Sequence, residues 1–162
     1  MPKRRIEINF TESNSFEELG KKDLRLLEIA FDAGKSAYAP YSHYYVGACV
    51  LLTDGTIVKG NNQENMAFPS GLCAERVAVF SASANHPGVA IEAIAITAES
   101  NEFPVSEPVT PCGACRQALI EYEYKQNSPI RMIMGCKSGK SLIFESVADL
   151  LPLSFKEEKL KR

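Results

Sequence analysis

A chain of 162 residues with 45% apolar composition can bury one core of its own and is too short for two comfortable domains. A formal charge of −2, with acidic and basic residues spread along the length, argues against a dedicated nucleic-acid or membrane surface, since both need a clear basic excess. No window approaches the roughly 18 apolar residues of a membrane span, and "MPKRRIEINF" has no apolar stretch behind its basic cluster. The expected setting is therefore cytoplasmic, where thiols stay reduced and clustered cysteines bind metal or react more often than they pair.

In chain order, residues 1–15 are polar and aperiodic and read as a loose N-terminal arm, leaving 16–162 as a single domain. Leu24, Leu27, Phe31 and then Gly34, Ala37 and Tyr38 recur at helical spacing. Pro40 ends that helix by disfavouring helical geometry in the residue before it. "YYVGACVLLTDGTIVKGNN" is two β-rich runs around Asp54-Gly55, which predicts a hairpin. "GLCAERVAVFSASAN" predicts a helix with Val77, Phe80 and Ala84 on its apolar side, and "VAIEAIAITAE" a strand buried on both faces. The Pro-rich "FPVSEPVTP" is a loop that delivers the chain to "CGACRQALIEYE", a helix with Ala118, Leu119 and Tyr122 inward.

"IRMIMGC" and "SLIFE" are the last strands. The "KSGK" between them is too short for a crossover, so the two should be antiparallel. "VADLLP" reads as a short helix before a charged tail. This order predicts an α/β fold: three layers, α/β/α, with a mixed five-stranded sheet flanked by helices.

Three of the five cysteines carry the chemistry. Cys73 and Glu75 stand at one helix start, in "CAER"; Cys112 and Cys115 stand at another, in "PCGAC". Helix N-termini favour thiolate over thiol, and residues three apart share a helix face, so both sulfurs of the second motif can address one ion. Three thiolates are a soft set suited to zinc. A structural zinc normally has four protein ligands, whereas a catalytic one keeps a position for water. His43 and His86 lack ligand-like spacing, so the set reads as open, with a non-catalytic zinc protein as the rival. Zinc with an open position lowers the pKa of its water from about 16 to about 7, and Glu75 beside it suits proton transfer. Three thiolates leave the site at net −1, which weakens that acidification. Arg76, by donating hydrogen bonds to the sulfurs, would offset it. Cys49 and Cys136, outside the motifs, read as small buried hydrophobes.

With "CAER", "PCGACRQ", "YAPYS", "VGA" and "GNNQEN" in this order from about Ala37 to Phe155, the chain resembles the zinc-dependent cytidine deaminases, of the small homotetrameric type. The resemblance implies Zn²⁺, one per chain, on Cys73, Cys112 and Cys115, with Glu75 as proton shuttle and Arg76 easing the thiolate charge. It implies that Asn62 and Glu64 hold the sugar hydroxyls. Tyr44 would stack on the base, and the backbone groups of Ala74 and Thr110 would contact the pyrimidine and the departing ammonia. Phe155 would cover the base in a neighbouring subunit, making the sites shared. The implied reaction is hydrolytic deamination of cytidine and 2′-deoxycytidine, a step of pyrimidine salvage. A related deaminase acting on a blasticidin-type nucleoside or on a base within nucleic acid is the alternative within the class; the latter would need a basic channel. Tyr44 stands where the family commonly has Phe, and Phe68 and Pro69 where Tyr and Ser are frequent. The N-terminal arm and the long stretch before Pro111 have no role legible in the sequence.

Overall fold

A computed structural model describes residues 1–160. Its one sheet has six strands in the order β1-β6-β5-β4-β2-β3. They are β1 (Thr11–Ser13), β2 (Tyr44–Leu52), β3 (Ile57–Asn61), β4 (Ile91–Ser100), β5 (Arg131–Gly135) and β6 (Ser141–Phe144). Only β4 and β5 run parallel; the β2–β3, β2–β4, β5–β6 and β1–β6 pairs are antiparallel. The five-strand expectation is thus corrected to six. The extra strand is a three-residue edge piece inside the stretch read as a loose arm, too short for any periodic signal. Its register on β6 is fixed by pairing Thr11 with Ile143, and its end by the buried Ser13 hydroxyl, which donates to Ser15 O at 2.7 Å.

Alternation along β2 assigns the faces. Cys49 and Leu51 join Leu26, Leu27 and Ala30 of α1 (Lys21–Gly34). Ala48, Val50 and Leu52 join Ala78, Val79 and Ala82 of α2 (Ala74–Asn85) and Leu119 and Ile120 of α3 (Gly113–Gln126). The sheet is therefore a middle layer, with α1 on one side and α2 and α3 on the other. "VADLLP" forms a single 3-10 turn, Val147–Leu150.

Two glycines set how closely helices approach. A β carbon on Gly47 would stand 1.8 Å from Ala30 O of α1; one on Gly60 would stand 2.4 Å from Ala78 N of α2. This tight seat corrects the expected inward face of α2. Ala74, Glu75, Ala78, Val79 and Ala82 are buried, while Phe80 is exposed and Val77 half-buried. Between a helix and bare strand backbone only small side chains fit, so the larger ones turn outward. In α3 the inward stripe is Cys115, Leu119, Ile120 and Glu123, with Ala118 and Tyr122 at its margin.

Candidate metal centre and active site

Both metal-motif helices start at the same place over the sheet. Cys73 is the N-cap of α2 and Cys112 the N-cap of α3, and neither side chain caps its own helix. Both thiols are thereby left to a ligand. Cys115, one turn into α3, is fully buried. The three sulfurs lie within 4.8 Å of one another, with Cys112 Sγ and Cys115 Sγ 3.5 Å apart. Tetrahedral Zn–S bonds of ≈ 2.3 Å put sulfurs about 3.8 Å apart, so the cluster has the size of a zinc site.

The charges fit as well. The Cys73 thiol is pulled down to about 6, first by the hydrogen bond from Cys115 and also by Arg76, against burial and the Glu75 charge. Cys115 is pushed up by that same hydrogen bond, by burial and by Glu75. A metal cation bound by these sulfurs would displace their protons. Arg76 Nη2 lies 3.9 Å from Cys73 Sγ, and its buried Nε has no hydrogen-bond partner among the described residues. A half-buried guanidinium with a buried, unpartnered Nε beside three thiols fits a site that becomes anionic when metallated.

Glu75 is buried, 4% exposed, and with Cys73, Arg76 and Cys112 lines a cavity of about 810 Å³. Tyr44, Asn62, Glu64 and Thr110 line the same cavity, and Val46, Ile96 and Val109 give it an apolar wall. Ala74, fully buried, and Phe155, 69% exposed, are not among its lining residues. His43 and His86 stand apart from the metal cluster: His43 Nδ1 is 2.6 Å from Glu102 Oε1, and the His86 amide caps the end of α2 on Ala82 O. Cys49 and Cys136 are buried elsewhere, and burial pushes the Cys49 thiol up to about 12.

The polar end of the cavity is made by two loops bound to each other. Tyr38 N donates to Asn62 O at 3.0 Å, and Glu64 N to Tyr38 O at 2.8 Å. The Asn62 amide extends the sheet, accepting from Val46 N at 2.8 Å and donating to Tyr44 O at 2.9 Å. Glu64 accepts from Tyr41 N at 2.9 Å and from the Ser42 amide and hydroxyl. "YAPYS" and "GNNQEN" are thus two sides of one construction, a relation that sequence order alone could not express.

Arg116 is a residue the sequence reading missed. Its Nε donates to Pro111 O at 2.8 Å and its Nη1 to Leu150 O at 2.9 Å, fixing the turn that carries Cys112 to the C-terminal segment. Gln117 donates to Phe155 O at 3.1 Å and accepts from Phe155 N at 3.0 Å, holding the backbone there while the Phe155 ring faces out. Their place after "PCGAC" was the only signal available for either.

A zinc-sized thiol cluster, a buried carboxylate and a cavity that both line, over an α/β/α sandwich, fit a zinc-dependent hydrolytic enzyme. Residues 20–128 match the family model described as "Cytidine and deoxycytidylate deaminase zinc-binding region". A cytidine deaminase of Sporosarcina psychrophila is 38% identical over 137 residues, spanning 84% of this chain and 93% of that protein. One from Halalkalibacterium halodurans is 35% identical over 133 residues, 82% and 93% of the two chains. The crystal structure of cytidine deaminase from Burkholderia pseudomallei superposes with a TM-score of 0.70 at 38% identity, covering 81% of this chain and 97% of that one. The chain belongs to the cytidine and deoxycytidylate deaminase family and carries its zinc-binding region.

Proposed function

We propose that this protein hydrolyses cytidine and 2′-deoxycytidine to uridine and 2′-deoxyuridine, releasing ammonia, and serves pyrimidine salvage in the cytoplasm. The observation that carries the reading is that the buried Glu75 lines the same cavity as Cys73 and Cys112, together with Asn62 and Glu64. Cys73, Cys112 and Cys115 hold Zn²⁺, which supplies Lewis-acid activation of the attacking water when bound.

The chain's own residues do the rest. Glu75 takes one proton from the water as its oxygen bonds to C4 and gives it to N3 of the pyrimidine. It then carries the second proton to the exocyclic nitrogen. The C4–N bond breaks, ammonia leaves, and C4 keeps the oxygen as a carbonyl. Burial of Glu75 excludes bulk water that would exchange these protons. Arg76 offsets the negative charge of the thiolates. The Ala74 amide and the Thr110 carbonyl contact the base and the departing ammonia, and Tyr44 stacks on the ring. Asn62 and Glu64 hold the ribose 3′-hydroxyl, an amide and a carboxylate both being suited to it.

The assembly is a homotetramer with shared sites. Support comes from Phe155, whose apolar ring is 69% exposed and does not line this chain's own cavity, which leaves it available to a neighbouring subunit. A mass measurement in solution tests it: an active monomer would exclude a shared site. The chemical assignment is tested with Glu75→Gln. That variant should keep one zinc per chain and lose turnover by at least three orders of magnitude; parent-rate turnover with zinc retained would refute the shuttle.

A further inference from the structure

Two of the features in which the sequence departs from the family's pattern, Tyr44 and the long stretch before Pro111, are in contact in the structure. Tyr44 opens β2 opposite Ser100, the last residue of β4, so the chain leaving β4 runs directly past Tyr44. There the Glu102 carboxylate lies 2.6 Å from His43 Nδ1, and its amide donates to Ser100 Oγ at 3.1 Å. The next residue, Phe103, stacks on the Tyr44 ring with centroids 6.0 Å apart and planes 20° from parallel. The far end of the stretch is tied down too. Ser106 O accepts from Cys136 Sγ at 3.2 Å and from Ser138 Oγ at 3.1 Å, and Glu107 pairs with Lys140. The chain then enters the cavity wall at Val109 and Thr110.

Tyr44 lines the cavity and Phe103 does not. We propose that Phe103 is a positioning residue for the pyrimidine, holding the Tyr44 ring from behind so that its exposed side is set for stacking on the base. The proposal rests on the reading that Tyr44 meets the pyrimidine of a nucleoside. A lone tyrosine at a strand end would exchange rotamers and spend part of the binding energy on being ordered. Phe103, pinned by the Glu102–His43 pair, removes that freedom in advance. The longer loop thereby acts on substrate affinity while leaving Glu75 and the thiols untouched.

The test is cytidine binding by calorimetry in the zinc-loaded Glu75→Gln protein, where turnover does not interfere. Phe103→Ala should weaken binding roughly three- to tenfold, the scale of one aromatic pair. Phe103→Tyr should restore it, and Phe103→Ala should add no further loss in a Tyr44→Ala background. Glu102→Ala, which leaves both rings but unpins the loop, should move affinity in the same direction and serves if Phe103→Ala folds poorly. Unchanged affinity in both Phe103→Ala and Glu102→Ala, or the same Phe103→Ala loss with and without Tyr44, would overturn the proposal alone. Failure of the zinc-loaded parent to bind cytidine at all would overturn the nucleoside reading, and this inference with it.

Discussion

The carbonyl oxygen of Ala74 lies 2.5 Å from the point that a β carbon on Gly60 would occupy, so the first turn of α2 rests on the bare backbone of β3. That seat fixes the height of Cys73 and Glu75 over the sheet, because both belong to the start of the same helix. Gly60→Ala would force backbone against backbone at Ala74 O and Ala78 N, with no flexible side chain to yield. It should cost about 3 kcal/mol of unfolding free energy, and zinc content should fall with it. A denaturant midpoint equal to the parent's would contradict this role.

Metal content should separate the cysteines cleanly. Cys73, Cys112 and Cys115 each supply a sulfur to one cluster, so alanine at any of them should lower bound zinc well below one per chain. Cys49→Ala should keep a full complement: its thiol donates to Leu26 O at 3.3 Å, and burial holds it protonated at neutral pH. Metal analysis of the purified variants checks both halves.

Glu123 is a buried carboxylate with a structural task. It accepts from Ile130 N at 2.8 Å, Val147 N at 3.0 Å and Ser146 Oγ at 2.7 Å, joining the end of α3 to β5 and to the C-terminal turn. Glu123→Ala strands two buried amides and should cost roughly 3 kcal/mol. Glu123→Gln keeps an acceptor oxygen and should cost about 1 kcal/mol. Equal losses in chemical unfolding would show that charge, not hydrogen bonding, carries the effect.

Acid should loosen the polar end of the cavity around Glu64 before it unfolds the core. Partial desolvation pulls Glu64 up, but the Ser42 hydroxyl and the amides of Tyr41 and Ser42 outweigh it and hold the carboxyl below its usual 4.5. A depressed carboxyl stabilises the fold fully above its unfolded value and loses that contribution as pH falls through its folded one. Glu64→Gln should therefore be less stable than the parent at pH 6, and the gap should close as pH falls below about 4.5. A gap that stays constant across this window would contradict the linkage.

The features legible in the sequence were those whose cause is local. Asp54-Gly55 gives a hairpin because the turn itself demands the left-handed backbone seen at Gly55, φ 88°. The thiol cluster was readable because a Cys pair three apart must share a helix face, whatever the rest of the chain does. What escaped depends on partners far along the chain. Thr11–Ser13 becomes a strand only because the β6 edge is there to pair with. Phe80 looked like a core residue by composition, yet α2 lies too close to Gly60 for any but small side chains to face the sheet. Arg116, Glu123 and Phe103 act on residues 34, 24 and 59 positions away, at Leu150, Val147 and Tyr44, where no spacing rule reaches.

The most direct measurement is the ultraviolet absorbance change on mixing zinc-replete protein with cytidine, with ammonia assayed in parallel. The cytidine spectrum should be lost, the uridine spectrum should appear and one ammonia should form per nucleoside consumed, all abolished by Glu75→Gln. An unchanged spectrum and no ammonia, with one zinc still bound per chain, would contradict the deaminase reading.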